Sequence, residues 1–377
     1  MNKGDSMYNA LGIIAYNDSN VYVEGLEKYR PIAAFSFIGR YRLVDFPISN
    51  MTNSGMNDID IYVNGDPKVM FEHLGSGRQY NINSKHGHLG IVPVFPDGER
   101  AARVTDVATY YKYLYQIEHD TNDYVVIAPV NYIYKANYAE YIQQHVESGA
   151  DVSILYQRID TAKEEYINCD VLDLNTQKGI NGISLNLGNK KNQVLSLQTY
   201  IMSKVKFVDL IKKAHATSAM YWFKDVINDC CEELDVRGIN YRGNIYPIYD
   251  LKSYFDSNMR LLSHSHMKDF SDSNWPIYTK TNDSAPTIYM GDGCAVNSLV
   301  SNGCEISGEI KGSIIGRNVI VGKGAVIENC LILPGAEIAA NAVLKNVIVD
   351  KNARIVHKKE IIGSEEAPIY INRRETV

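Results

Sequence analysis

The hydrophobic positions along this chain follow two different rhythms. From Ala10 to about Asp250, short aliphatic runs alternate with amphipathic stretches, the pattern of strands joined by crossover helices. Ala10–Ala15 (ALGIIA) predicts a first strand, and Ile59, Ile61 and Val63, alternating with Asp58, Asp60 and Tyr62, predict another. The uninterrupted run 124–130 (YVVIAPV) predicts a strand buried on both faces. Val107, Tyr111, Leu114 and Ile117 mark one helix behind Thr105 or Asp106 as cap, and Tyr138–Ser148 another that Gly149 ends. Residues 151–159 predict a further strand. Regularity then falls: residues 169–187 read as hairpin pieces broken at Lys178-Gly179 and Asn181-Gly182, a substrate-side subregion. Leu251, Tyr254, Phe255, Asn258, Leu261 and Leu262 lie at helical spacing after Asp250, a ready N-cap. Strand and helix in alternation imply an α/β, Rossmann-like domain over residues 7–262, followed by a polar linker over 263–286.

The second rhythm begins near Thr287. Ile315, Val321, Ile327, Leu333 and Ala339 recur every six residues, and a second track runs through Val319, Ala325, Leu331, Val343, Val349 and Ile355, broken at Glu337. A period of six is not helical; it predicts short strands that stack coil upon coil in a left-handed parallel β-helix of hexapeptide repeats over residues 287–377. Between Thr287 and His357 there is room for about four coils.

Composition narrows the function classes. A chain of 377 residues suits two domains, and 45% hydrophobic with 22% charged residues is ordinary for a globular protein. Thirty-eight Lys and Arg against 44 Asp and Glu leave a net charge of -6, so a nucleic-acid partner is not expected. The six cysteines lack C-x-x-C spacing, which fits a reducing compartment. The first ten residues (MNKGDSMYNA) carry no apolar signal-peptide segment, and no run is long enough to span a membrane; a cytoplasmic location with no membrane partner is the expectation.

In open α/β sheets, ligands bind beyond the carboxyl ends of the strands. The loop after the first strand, residues 16–24, has no glycine with which to cradle phosphate. After the 124–130 strand, where an aspartate would hold a metal for phosphoryl or nucleotidyl transfer, stands Asn131, a neutral amide and a weak metal ligand. His86 and His88 occupy a glycine-containing loop without acidic or cysteine partners at ligand spacing in the sequence, and read as surface residues.

Several segments then match a known family. Residues 39–55 (GRYRLVDFPISNMTNSG) resemble the G-[KR]-[YF]-R-[IL]-[IV]-D-F-x-[IL]-S-N-x-x-N-S-G stretch of bacterial glucose-1-phosphate adenylyltransferases. Tyr132-Ile133-Tyr134-Lys135 resembles the end of their G-D-H-I-Y-K motif, Asn274-Trp275-Pro276-Ile277 their N-W-P-I, and residues 297–304 (NSLVSNGC) the opening of their β-helix. The resemblance runs in order through nearly the whole chain.

The departures fall on the family's chemistry. The nucleotide loop G-G-x-G-T-R-L has no counterpart in residues 16–24. The two metal aspartates fall on Asn131 and Pro247. The sugar-phosphate lysine of E-K-P has no clear counterpart in residues 184–191, and S-M-G-I-Y becomes Ser196-Leu197-Gln198-Thr199-Tyr200. The combination resembles the GlgD-type subunit of that family. It implies a regulatory, catalytically degenerate subunit with no catalytic residue and no retained cofactor, Mg2+ belonging to the catalytic partner. It also implies a hetero-oligomer, a heterotetramer by family resemblance, with an active glucose-1-phosphate adenylyltransferase subunit. Lys28, Arg30, Arg40 and Arg42 correspond in kind to the family's basic effector residues and would take a phosphorylated small molecule, although Arg30-Pro31 stands two residues farther from Gly39 than the family pattern has it.

The alternative is an active sugar-1-phosphate nucleotidyltransferase with a rearranged site, which would have to recruit Asp18 or Asp45 as metal ligands. A hexapeptide-repeat acyltransferase would need a catalytic histidine, and His357 at the end of the repeats is the candidate.

Overall fold

A computed structural model of the chain describes residues 8–15, 21–82, 85, 87–94, 104–218 and 221–377. It divides into two compact units: residues 1–21 with 46–245, and residues 22–45 with 246–377. Residues 22–45 and 246–262, which belong to the α/β domain in the sequence reading, therefore cluster with the repeats.

The first unit is built on a nine-stranded sheet. Its strands are β1 (Ala10–Ala15), β2 (Asp58–Asn64), β3 (His88–Val94), β4 (Tyr124–Pro129), β5 (Val152–Ile159), β6 (Asp170–Leu174), β7 (Ile180–Leu185), β8 (Gln193–Ser203) and β9 (Val236–Asn240). The order β3-β2-β1-β4 is parallel throughout, with Gly12 opposite Val126 and Ile59. Both faces of this core are covered, which is why β4 is an unbroken apolar run with Val125, Val126 and Ile127 buried. Strand β8 then runs antiparallel to β4 and β5, β9 lies parallel to β5, and β6 and β7 form a hairpin at the edge.

Local signals set the helices. Thr105 Oγ1 accepts from the Ala108 N–H and caps α1 (Asp106–Lys112). The single helix predicted here is two: the chain bends at Tyr113 (φ -103°, ψ 14°) before α2 (Leu114–His119). Helix α3 (Tyr138–Ser148) ends at Gly149 in the left-handed region, φ 67°. Helices α4 (Lys204–Thr217) and α5 (Phe223–Cys230) bring Phe207 and Phe223 to Tyr110 and Tyr200, edge to face at 5.3 to 6.4 Å between ring centres.

In the second unit the repeats form three five-stranded parallel sheets, a left-handed β-helix. There are five coils, one more than the repeat length suggested, because Glu360–Ile362 and Ile369–Ile371 continue the stack past His357. The six-residue track also drifts. Ile315, Val321 and Ile327 point inward, but the next stacked positions are Ile332 and Ile338 rather than Leu333 and Ala339, so one segment of that coil has five residues. Asn318, Asn341 and Asn352 take the left-handed backbone that the corners require.

One face of the β-helix is covered. Ile314, Leu331 and Ile348 alternate with inward residues of the third sheet and are themselves fully buried. The hairpin Ser36–Phe37 and Tyr41–Arg42 lies there, with Gly39 at its turn. Gly39 has φ +66°, and a Cβ on it would stand 2.7 Å from Ser301 Oγ and 3.0 Å from the Ile315 carbonyl oxygen, so this motif glycine permits the approach. Helix α6 (Leu251–Arg260), capped by Asp250 and Ser253 reciprocally, holds the same segment: Tyr254 donates to the Ser36 carbonyl and Asn258 Oδ1 accepts from the Ile38 N–H.

Candidate functional site

Two places carry chemistry, one in each unit. In the first unit it is the carboxyl end of β1 and β4. Asn131, two residues past β4, is 2% exposed, and its Oδ1 has no hydrogen-bond partner among the described residues. A buried acceptor left unpaired is costly, so the side chain faces a place where a donor or cation would be welcome. Asn131 nevertheless offers one neutral oxygen. Pro247, in the other unit, is buried and offers only its carbonyl, which accepts from Ser257 Oγ at 2.7 Å. Neither position by itself offers the carboxylate that a divalent cation requires. No group of three or more His, Cys, Asp or Glu among the described residues could hold a metal.

The other altered elements are equally specific. Residues 16–20 of the phosphate-loop segment, with Asp18, lie outside the described residues, as does His86. Asp45 is fully buried and its Oδ2 accepts from the Arg42 N–H, a turn contact. In the stretch without the sugar-phosphate lysine, Asn186 is buried and donates to the carbonyls of Ala162 and Tyr166 at 2.8 and 3.0 Å, while Lys190 and Lys191 are exposed. His357 is exposed at the end of the repeats. His88 does have acidic partners that its sequence spacing hides: Asp58 at 3.0 Å and Asp60 at 3.1 Å, brought alongside by the pairing of β2 and β3. The hydrogen bond to Asp60 leads in raising its pKa to about 9.

The second place lies in the unit of the repeats. Arg30 is 5% exposed and its Nη2 donates to Asp350 Oδ1, while Tyr370 donates to the other oxygen. The Nε atoms of Arg30 and Arg373 are buried with no hydrogen-bond partner among the described residues. Burial pushes the Lys351 ammonium well below the ordinary lysine pKa, and Arg30, Arg42 and Arg373 push it further, with Asp350 opposing. Three arginines thus act on one buried lysine beside Asp350, and this gathering of positive charge suits a multiply charged anion.

The sequence-predicted basic residues separate here. Arg30 and Arg42 share the cluster. Arg40 lies instead beside Tyr41, 5.6 Å from the ring, and acts on Arg317, whose pKa burial lowers first and Arg40 second. Lys28 is exposed, 5.6 Å from the Tyr29 ring. Lys351 and Arg373 were missed because they are more than 300 residues from Arg30, as the Arg30 to Asp350 separation of 320 makes plain. The available signal was Asp350-Lys351-Asn352, a charged corner in an aliphatic repeat.

Comparison with known proteins agrees with both units. Residues 25–166 match the nucleotidyl transferase family model, and residues 287–368 match the GlmU-like C-terminal hexapeptide model. The chain is 31% identical over 324 residues to the glycogen biosynthesis protein GlgD of Geobacillus stearothermophilus, covering 84% of this chain and 82% of that protein. It is 26% identical to GlgD of Bacillus subtilis (strain 168), over 96% and 95% of the two chains. It is 25% identical to the glucose-1-phosphate adenylyltransferase of Fervidobacterium nodosum, over 93% and 84%. Fold, motif order and whole-chain likeness agree, and the chain belongs to the glucose-1-phosphate adenylyltransferase family, in its GlgD-type branch.

Proposed function

We propose that this chain is a regulatory, catalytically degenerate subunit that assembles with an active glucose-1-phosphate adenylyltransferase subunit, as a heterotetramer, and serves ADP-glucose supply for bacterial glycogen synthesis. The observation that carries the reading is Asn131: at the end of β4, where the family's chemistry needs a metal-holding carboxylate, stands a buried neutral amide. Nucleotidyl transfer depends on a metal to offset phosphate charge, a contribution of about several kcal/mol, so its loss costs orders of magnitude in rate.

The cationic cluster supports the regulatory half. Arg30, Arg42, Lys351 and Arg373 would hold a phosphorylated effector, and binding that favours one state of the assembly over another yields control with coupling of about 1–3 kcal/mol. The test is an ADP-glucose assay on the pure chain, on the catalytic subunit from the same cell, and on the two co-purified. The reading expects negligible turnover from this chain, a stable mixed assembly, and an effector response in the mixture that the catalytic subunit alone lacks. Turnover by the pure chain at an ordinary family rate, or failure of the two to associate, refutes it.

A further inference from the structure

The carboxyl end of β4 holds a second departure. Strand β8 breaks register with β5 between Ser196 and Tyr200, and within that break Gln198 sits at φ +49°. A non-glycine residue in the left-handed region is strained and persists only where its surroundings hold it. Gln198 is held at both ends: its N–H donates to Ser196 Oγ at 3.1 Å, and its side chain is tied as well. Nε2 donates to Asp170 Oδ2 at 2.7 Å, and Lys224 Nζ lies 3.1 Å from the other oxygen. The Asp170 side chain is 3% exposed and that of Lys224 is 16% exposed. Gln198 and Lys224 form one wall of a cavity of about 40 Å3, with Ala15 and Pro129 from the strand ends, Trp222, and the carboxylate residue Asp106. At about 10–15 Å3 per water it has room for about three waters.

We propose that this cavity is closed from within, and that the Gln198–Asp170–Lys224 cluster excludes a sugar phosphate from it. The charge explains the effect. Lys224 is the cation at the cavity wall, and Asp170 engages it. Asp106 adds a second carboxylate to the surroundings, so an entering phosphoryl group meets negative charge and no free ammonium. Steric closure works in the same direction, since the Gln198 amide occupies the space that a glycine would leave open. Strain at Gln198 is thus retained because it keeps a buried carboxylate hydrogen-bonded.

This deepens the regulatory reading, but the two can fail separately. The experiment titrates glucose 1-phosphate into the full-length chain, wild type and variant, by calorimetry and by Trp222 fluorescence in a Trp275→Phe background, since the chain has two tryptophans. Wild type should show no saturable signal at millimolar ligand. Asp170→Asn, which releases Lys224, and Asp170→Asn with Gln198→Gly, which also opens the space, should bind at least about ten-fold more tightly, as a charge-assisted hydrogen bond allows. Gln198→Gly alone relieves the left-handed backbone but removes the donor to Asp170, so the two effects oppose and its melting temperature should change little, which keeps the test sound if Asp170→Asn folds poorly. In that case Gln198→Gly should still admit the ligand weakly. Saturable binding to wild type, or no gain in any folded variant, overturns the proposal. Wild-type binding without ADP-glucose synthesis would end the occlusion argument and leave the regulatory reading intact.

Discussion

Replacing Asp350 by asparagine tests the cationic cluster most directly. Asp350 is fully buried, pairs with Arg30 and Tyr370, and is the carboxylate that opposes Arg42 and Arg373 in their effect on Lys351. The substitution keeps the shape and one acceptor oxygen but leaves the buried Arg30 guanidinium without a counter-ion. Breaking a buried pair from one side costs about 3–5 kcal/mol. The retained amide oxygen argues for the lower end, so we expect about 3 kcal/mol and a fall in melting temperature of about 6–12 °C. Urea unfolding of the full chain, followed by circular dichroism, reads the loss. Arg30→Met in the same background should recover part of it, because the unpaired charge then leaves with the arginine. Inorganic pyrophosphate should stabilise Asp350→Asn more than wild type, since it supplies the missing negative charge. If Asp350→Asn lies within about 0.5 kcal/mol of wild type, the residues do not form the mutually dependent cluster described, and the electrostatic argument falls.

Other outcomes follow from the same geometry. Arg42→Ala with Lys351→Ala should remove most of the effector response of the mixed assembly, read as the shift in its activation curve. Pyrophosphate binding to wild type should raise the Lys351 pKa, because an anion opposes the burial and the arginines that lower it; a pH titration of binding by calorimetry measures the shift. His88, raised to about 9 by Asp60 and Asp58, binds more protons folded than unfolded above its ordinary 6.5. Its contribution to stability should be complete below about pH 6.5 and lost as pH rises through about 9, and it should be modest because the ring is half exposed. A His88→Gln variant with an unchanged pH dependence of melting between those values would refute it. Asn131→Asp alone should not yield ADP-glucose synthesis, since Pro247 still offers no carboxylate; a measurable rate in that variant would show that the remaining elements suffice.

Much of the fold was legible because the sequence obeys simple periods. The buried run of β4, the Thr105 and Asp250 caps and the Gly149 stop each express one local rule, and each stands where the rule puts it. The break at Tyr113 was hidden, since apolar spacing continues across the bend. The coil count fell one short because Glu360–Ile362 and Ile369–Ile371 extend the stack past His357, where the period of six is no longer legible, and the predicted track itself slipped at a five-residue segment. Asn131 could be singled out by its place after the 124–130 run, and Pro247 only through the matching motif around it. The basic cluster was half legible: Arg30 and Arg42 stand near each other in the chain, whereas Lys351 and Arg373 reach them only through coiling of the repeats. Gln198 stood out in the sequence only as a departure from the family's S-M-G-I-Y; its left-handed backbone and its partner Asp170 were not legible there.

The segment 22–45 has a consequence for how the protein is made. It emerges early from the ribosome, yet Arg30 pairs with a residue 320 positions later, Gly25 packs against the Tyr370 ring, and Phe35 meets Tyr254 at 5.8 Å between ring centres. Until the helix around Tyr254 and the coils are synthesised, this segment lacks the surface it covers, and its apolar Phe35, Phe37 and Ile38, buried in the finished molecule, stay available to chaperones or to other chains, while Arg30 waits longer still, for Asp350. At about 5–20 residues per second the wait lasts roughly 16–64 s. Loss of the final two coils would then do more than shorten the repeats: it would strand a segment near the N-terminus without its counterpart, and the defect would surface as slow maturation and aggregation during synthesis.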